Sequence, residues 1–322
     1  MANVYIKPFA KLSSKAVAIA GGKGASLGEM TKAGIPVPPG FVILADAFEY
    51  FINPSSSVQA SEVGAEITFQ LGKVNYDDTN SIDKASNIIR DIMHDTRIPA
   101  DLATQIVTEF KRLKAKHVAV RSSATAEDSS IASWAGELET YLNTTEKTLL
   151  ENVKRCWSSL FTPRAIFYRF EKNLVDQKVL VAVVVQQMVE SEISGITFTV
   201  HPVTKDPNQM IIEAGYGLGE AVVSGSITPD SYIIDKADQL IVDINIAQQD
   251  KQLLRGSQGG VEWKNIAAKQ QPQQKLTGKQ IMELAAICQR IEKHYGKPQD
   301  IEWAYAGGKF YITQSRPITT LD

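Results

Sequence analysis

Cysteine is nearly missing from this chain: its 322 residues include two, Cys156 and Cys288. Two cannot build a disulfide framework, so a reducing, cytoplasmic setting is the expectation. Long apolar runs are missing as well. A bilayer-spanning helix needs roughly 20 apolar residues, and the longest clear run, VLVAVVV at 179–185, stops far short of that. No excess of positive charge exists either. Lys+Arg 34 stand against Asp+Glu 36, for a net charge of -2 and a pI near 6.2, which argues against a protein that coats nucleic acid. Any anionic ligand must therefore be held by a local cluster of cations. The N-terminus lacks the apolar core of a signal peptide, so Asn143-Thr144-Thr145 is a glycosylation sequon in form only. No HExxH, CxxC pair, GxSxG elbow or GxxxxGK[ST] loop occurs. Zinc protease, redox, serine hydrolase and P-loop readings lack support accordingly.

What is present is a globular composition, with 43% hydrophobic residues and a length that suggests two subdomains. Strand-like and helix-like patterns alternate, which favours an α/β or α+β fold. The spacing predicts helices over 25–33, 82–93, 102–114, 149–160, 164–174 and 280–295, and a polar loop over 53–61. The segment 179–189 is β-branched on both faces, the pattern of a central strand. Strands follow at 196–200, 210–213 and 231–235, and 247–275 reads as an exposed hairpin or long loop. The subdomain boundary is expected within 186–192, giving units 1–187 and 188–322.

Four clusters carry candidate chemistry. Gly21-Gly22-Lys23-Gly24 precedes a helix, where backbone N–H groups, the helix dipole and one full charge suit a phosphate; a tight turn with a solvated lysine is the plainer alternative. Arg121-Ser122-Ser123 leads toward Glu127 and Asp128 and then Gly136 and Thr140, either a fork of donors beneath a loop or a structural ion pair. Glu213-Ala-Gly-Tyr-Gly-Leu-Gly-Glu220 has glycines spaced GxGxGE, which fails the dinucleotide fingerprint; it fits a loop beside a metal–phosphate group or merely a turn. In the fourth, Asp300 and Glu302 on one strand face Gln314 and Arg316 on the next. A three-residue loop over 307–309 would pair 302 with 314 and 304 with 312, leaving Ile301, Trp303, Tyr305 and Tyr311 on an apolar face. Oxygen ligands beside a fixed cation are what Mg²⁺ with a polyphosphate needs. Among the histidines, His201 alone is placed near a candidate site.

In order along the chain, GGKGASLGEM (21–30), VPPGF (37–41), VAVRSSATAED (118–128), AGELETYLN (135–143), GLGEAVVSG (217–225), DIEW (300–303) and QSRPIT (314–319) resemble the nucleotide-binding domain shared by phosphoenolpyruvate synthase, pyruvate phosphate dikinase and rifampicin phosphotransferase. The resemblance implies an ATP-grasp-like fold in which two subdomains clamp Mg-ATP. Carried over by position, it implies phosphate binding by Lys23, Arg121 and Arg316 and a lid about Gly136 and Thr140. It implies an adenosine contact at Gln187, and Mg²⁺ ligation by Glu302 and Gln314 with Asp300 as a third candidate. Members of this family move a phosphoryl group from ATP to a histidine on a swivelling carrier domain, which then phosphorylates pyruvate or the antibiotic. No histidine here sits in a carrier motif, so the carrier and acceptor domains are expected either as separate partners in trans or as parts of a longer protein from which this chain is excised. A catalytically silent ATP-sensing module is the alternative of another class.

Overall fold

A computed structural model describes residues 4–54, 58–125, 139–175 and 177–319, with backbone alone at 58–62. The chain divides into two compact units. One comprises Met1–Gly28 and Pro39–Gln187, the other Glu29–Pro38 and Met188–Asp322.

The first unit contains β1 (Ile6–Pro8), α1 (Val17–Lys32, whose last residues belong to the second unit), β2 (Gly40–Ile43), α2 (Ala45–Ile52), α3 (Val58–Gly72), α4 (Thr79–Asp95), α5 (Ala100–Leu113), β3 (Val118–Ala124), β4 (Thr140–Thr144), α6 (Glu146–Ser158), α7 (Pro163–Glu171) and β5 (Val181–Gln187). Its sheet has the order β1-β2-β5-β3-β4. The doubly apolar segment read from the sequence is therefore the central strand, buried on both faces as its composition requires. One face carries Phe41, Ile43, Val118, Val120, Val181, Val183 and Val185 into a core with Phe48, Phe51 and Trp157. The Phe51 and Trp157 rings stack there at 4.8 Å, and side chains of this size each contribute about 2–3 kcal/mol by burial.

Two expectations need correction in this unit. The loop expected over 53–61 becomes helical from Val58 onward. Val63 and Ile67 of that helix lie in the core, so tertiary packing overrides a polar local composition. The helix expected to start after the glycine cluster instead runs Val17–Lys32 and breaks at Gly21, at φ 66 and ψ 174. Gly22, Lys23 and Gly24 thus form the first turn of its second part. Glycines are tolerated in that helix because the packing leaves no room: a Cβ on Gly28 would lie 2.5 Å from Leu12 Cβ, and one on Gly24 would lie 3.0 Å from a Val42 methyl.

The second unit contains β6 (Ile193–Phe198), β7 (Gln209–Tyr216), α8 (Glu220–Val223), β8 (Asp230–Asp235), β9 (Leu240–Asn245), β10 (Lys251–Arg255), β11 (Val261–Asn265), α9 (Gly278–Tyr295), β12 (Gln299–Ala306) and β13 (Lys309–Pro317). A six-stranded sheet runs β13-β12-β6-β7-β8-β9, and β10 pairs with β11 as a separate hairpin. Helix α9 opens on a capping box at Thr277 and Gln280 and closes on Gly296 at φ 66. Its apolar stripe of Ile281, Leu284, Ala285, Cys288 and Ile291 is fully buried. Every pair of named strands among the described residues is antiparallel, so of the two classes open to the sequence the fold is α+β. Among the described residues no helix is long and apolar enough to cross a membrane.

Candidate functional site

Alternation along β3 decides where the first cation points. Val118, Val120 and Ala124 enter the core, so Ala119, Arg121 and Ser123 share the opposite face. Cross-strand partners extend that face to Val184 and Gln186 on β5 and to Gly40 and Val42 on β2. Arg121 is buried to 8% exposure and lies opposite Thr140 in the β3–β4 ladder; Thr140 is exposed. The Arg121 Nη1 group donates to Gln186 Oε1 at 3.4 Å.

Ser123 fastens the glycine turn to this strand. Its hydroxyl donates to the Ala20 carbonyl at 3.1 Å and accepts from the Gly24 N–H at 3.4 Å. Close approach is possible because Gly21 has no side chain: a Cβ there would lie 2.1 Å from Ser123 Oγ and 2.4 Å from the Ser123 carbonyl oxygen. The turn bearing half-buried Lys23 is thereby held against the strand bearing Arg121. Nearby, burial and the Glu139 charge push the Cys156 thiol well above its ordinary range, with Lys23 opposing.

Not every expected residue joins this face. Gln187 follows Gln186 on β5, so it points to the other side, and it is exposed. Gly136 lies outside the described residues, as do Glu127 and Asp128, the partners of the ion-pair reading. His201 caps a turn, its Nδ1 accepting from the Val203 and Thr204 amides at 3.2 and 3.1 Å.

The second unit gathers the acidic cluster. In the β12–β13 ladder, Asp300 faces Arg316 and Glu302 faces Gln314. Gln314 Nε2 donates to Glu302 Oε1 at 2.9 Å. Arg316 reaches Asp300 Oδ2 with Nε at 2.9 Å and with Nη2 at 2.8 Å. The expected pairing thus forms, but not through a three-residue loop. Ala306 pairs with Lys309 around a two-residue Gly307-Gly308 turn, and a bulge beside Glu302 and Trp303 restores the register at Gln314. Both turn glycines have positive φ, 56 and 78, the requirement of a tight hairpin that matches strand twist. The pairing of 304 is accordingly with Tyr311, not with 312. Ile312 and Phe310, not Tyr311, join Trp303 and Tyr305 on the apolar face.

Glu213 belongs to the same row. Glu302 pairs with Ile196, and Ile196 pairs with Glu213, which places both carboxylates on one face two strands apart. Burial pushes the Glu213 carboxyl up, and the Asp300 charge adds to that. The Asp300 carboxyl is also raised, by burial first, with Arg316 opposing and Glu302 reinforcing. Asp300, Glu302 and Glu213 thus lie on the same face as the Arg316 guanidinium.

Comparison with known proteins decides the family. The family model for the pyruvate phosphate dikinase AMP/ATP-binding domain matches residues 17–322. The chain belongs to that family. Within the dikinase-type family, a probable phosphoenolpyruvate synthase of Methanocaldococcus jannaschii is 45% identical over 318 residues, covering 97% of this chain and 26% of its own length. The phosphoenolpyruvate synthase of Pyrococcus furiosus is 42% identical over 362 residues, covering 100% of this chain and 44% of that one. Rifampicin phosphotransferase of Bacillus subtilis is 40% identical over 308 residues, covering 95% and 35%. The chain therefore spans less than half the length of each of these curated relatives.

A dikinase-type nucleotide site implies Mg²⁺, and the residues present fit it. Among the described residues no three His, Cys, Asp or Glu side chains form a ready-made metal cage. Mg²⁺ does not require one, because it is ordinarily held by one or two carboxylates together with phosphate oxygens and water. Glu302 supplies one such carboxylate and Gln314, hydrogen-bonded to it through Nε2, a neutral amide oxygen, and the surplus of carboxylate over guanidinium on that face favours a cation. Asp300 is taken up in orienting Arg316. Sequence reasoning set Ser123 beside Arg121 without its tie to the glycine turn, missed Gln186 as a site residue, and put Glu213 at a strand end before a glycine loop without its row partner Glu302. Period-two alternation held the signal for all three, but only the strand order shows which rows meet.

Proposed function

We propose that this chain is the Mg-ATP-binding part of a phosphoenolpyruvate synthase-like phosphotransferase. It donates a phosphoryl group from ATP to a histidine on a separate carrier domain, for onward transfer to pyruvate. An ATP-grasp-like fold belongs to the same reading. The observation that carries it is the Ser123 clasp, which sets a helix-start turn bearing Lys23 against the strand bearing buried Arg121.

Phosphoryl transfer asks the protein for positioning and charge neutralisation more than for covalent chemistry. Lys23 and Arg121 supply full charges, and the amides of the glycine turn supply directed donors. Arg316 is held in a fixed orientation by Asp300 and adds a third cation for the phosphate oxygens. Thr140, exposed opposite Arg121, and Gly136 contact the nucleotide, and Gln187, exposed at the very end of β5, meets the adenosine. Mg²⁺, held by Glu302 and Gln314, would supply neutralisation of the polyphosphate charge.

The identity to rifampicin phosphotransferase supports a second reading, in which the final acceptor is the antibiotic. One experiment separates the two. The protein is mixed with Mg-ATP, with the carrier and acceptor domains of either relative, and with pyruvate or rifampicin. AMP formed in proportion to phosphorylated pyruvate supports the first reading, and AMP in proportion to phosphorylated rifampicin the second. Absence of phosphate transfer to either carrier, with ATP bound, would leave an ATP sensor and overturn both.

A further inference from the structure

Gln186 is 2% exposed, and its side-chain amide is only half used. Arg121 can only donate, so the Gln186 oxygen must be the atom that faces Nη1 at 3.4 Å. That fixes the amide's orientation and sends Nε2 the other way. Nε2 is buried and has no hydrogen-bond partner among the described residues. An orphaned buried donor costs about 1–3 kcal/mol, and native proteins rarely keep one without a use.

Its surroundings suit an anion. Arg121, Ser123 and Gln186 share one face of the sheet. The positions flanking Gln186 on the neighbouring strands are Gly40 and Ala119, neither of which has a side-chain acceptor to offer. Among the described residues, the permanent charge shown beside the amide is the Arg121 guanidinium, which attracts negative ligands. An oxygen that binds Arg121 therefore meets a second donor already in place.

We propose that Gln186 is a binding and positioning residue of the phosphate site. Its oxygen fixes the Arg121 fork, and its Nε2 donates to an anionic oxygen of the polyphosphate that Arg121 holds. The inference rests on the ATP reading of this face and adds a residue to it. It also gives β5 a role through Gln186 separate from that proposed for Gln187.

The test compares the wild-type chain with Gln186→Met, which keeps the side-chain length and removes both polar atoms, and with Gln186→Glu, which keeps an acceptor for Arg121 and removes the donor. Affinity is measured calorimetrically for Mg-ATP, inorganic tripolyphosphate and adenosine, and thermal melting reports the fold. Both variants should bind Mg-ATP and tripolyphosphate roughly tenfold or more weakly, as for a lost hydrogen bond to a charged group, with adenosine unaffected. Gln186→Met also strips the acceptor of buried Arg121 and should melt lower for that reason, whereas Gln186→Glu keeps that acceptor and should melt no lower than wild type; a merely structural amide would lower the melting temperature in Gln186→Met and leave affinity alone in both variants. Wild-type affinity for ATP and tripolyphosphate in both variants overturns the role of Gln186 while leaving the ATP reading intact. Equal losses for adenosine overturn the anion assignment. Failure of the wild type itself to bind either phosphate compound overturns the ATP reading and this inference together.

Discussion

Gly21→Ala is the sharpest perturbation of the phosphate turn. Gly21 sits at φ 66 and ψ 174, a region essentially closed to residues with a Cβ, and occupying it costs about 1–3 kcal/mol. The new methyl would also lie 2.1 Å from Ser123 Oγ, 2.4 Å from its carbonyl oxygen and 2.6 Å from its carbonyl carbon. The turn must then move off β3, which loses the two Ser123 hydrogen bonds, each worth about 0.5–1.5 kcal/mol. Together these give a destabilisation of about 2–6 kcal/mol, much of the 5–15 kcal/mol that holds an ordinary protein folded. At a urea dependence of about 3 kcal/mol/M, the unfolding midpoint should fall by roughly 0.7–2 M. Adding Ser123→Ala should not rescue the variant, because two of the three closest atoms belong to the backbone. A Gly21→Ala midpoint matching wild type, or full rescue by the double substitution, would refute the clasp.

Other expectations follow from groups elsewhere in the fold. Lys275 and Asp230 are paired at 2.8 Å with both side chains fully buried, so Asp230→Ala should cost about 3–5 kcal/mol in urea unfolding, the penalty for stranding a buried charge. A loss below 1 kcal/mol would contradict it. Burial pushes the Cys288 thiol up to about 12 and raises that of Cys156 as well; both should resist alkylation near neutral pH until the protein unfolds, and rapid labelling of the native chain would contradict this. Burial, with the Asp300 charge adding to it, likewise raises the Glu213 carboxyl, so the folded state keeps that proton to higher pH than the unfolded one. Its contribution to stability is present below the ordinary carboxylate range and is lost as pH rises through the raised value. Glu213→Gln should therefore gain stability relative to wild type as pH rises across that window, and a constant difference would show the carboxyl to be unperturbed.

The sequence revealed most where one residue type dictates backbone geometry. Gly296 ends α9 and Gly307-Gly308 turns the last hairpin because few other residues take those angles. The pairing of Glu302 with Gln314 was legible from alternation, yet the reason given for it failed. A three-residue loop and a two-residue turn followed by a bulge yield the same register at Gln314 and different ones at Tyr311, and a bulge has no compositional signature here. The helix from Val58 was hidden because its local composition is polar and its stability comes from packing Val63 and Ile67. The tie from Ser123 to the glycine turn and the part played by Gln186 were invisible for a related reason. Each matters through a neighbour far away in sequence, Ala20 for one and Arg121 for the other, and strand order is not written in any local pattern.

The central proposal is that this chain binds magnesium-bound ATP, with Lys23, Arg121, Arg316, Glu302 and Gln314 as the proposed contacts. Isothermal titration of ATP into the purified protein, with and without Mg²⁺, tests it most directly. The account predicts one site per chain, strengthened by Mg²⁺, with the Mg²⁺ dependence removed by Glu302→Gln and the site itself removed by Arg121→Ala. Absence of binding in the wild type, or binding indifferent to both substitutions, would contradict it.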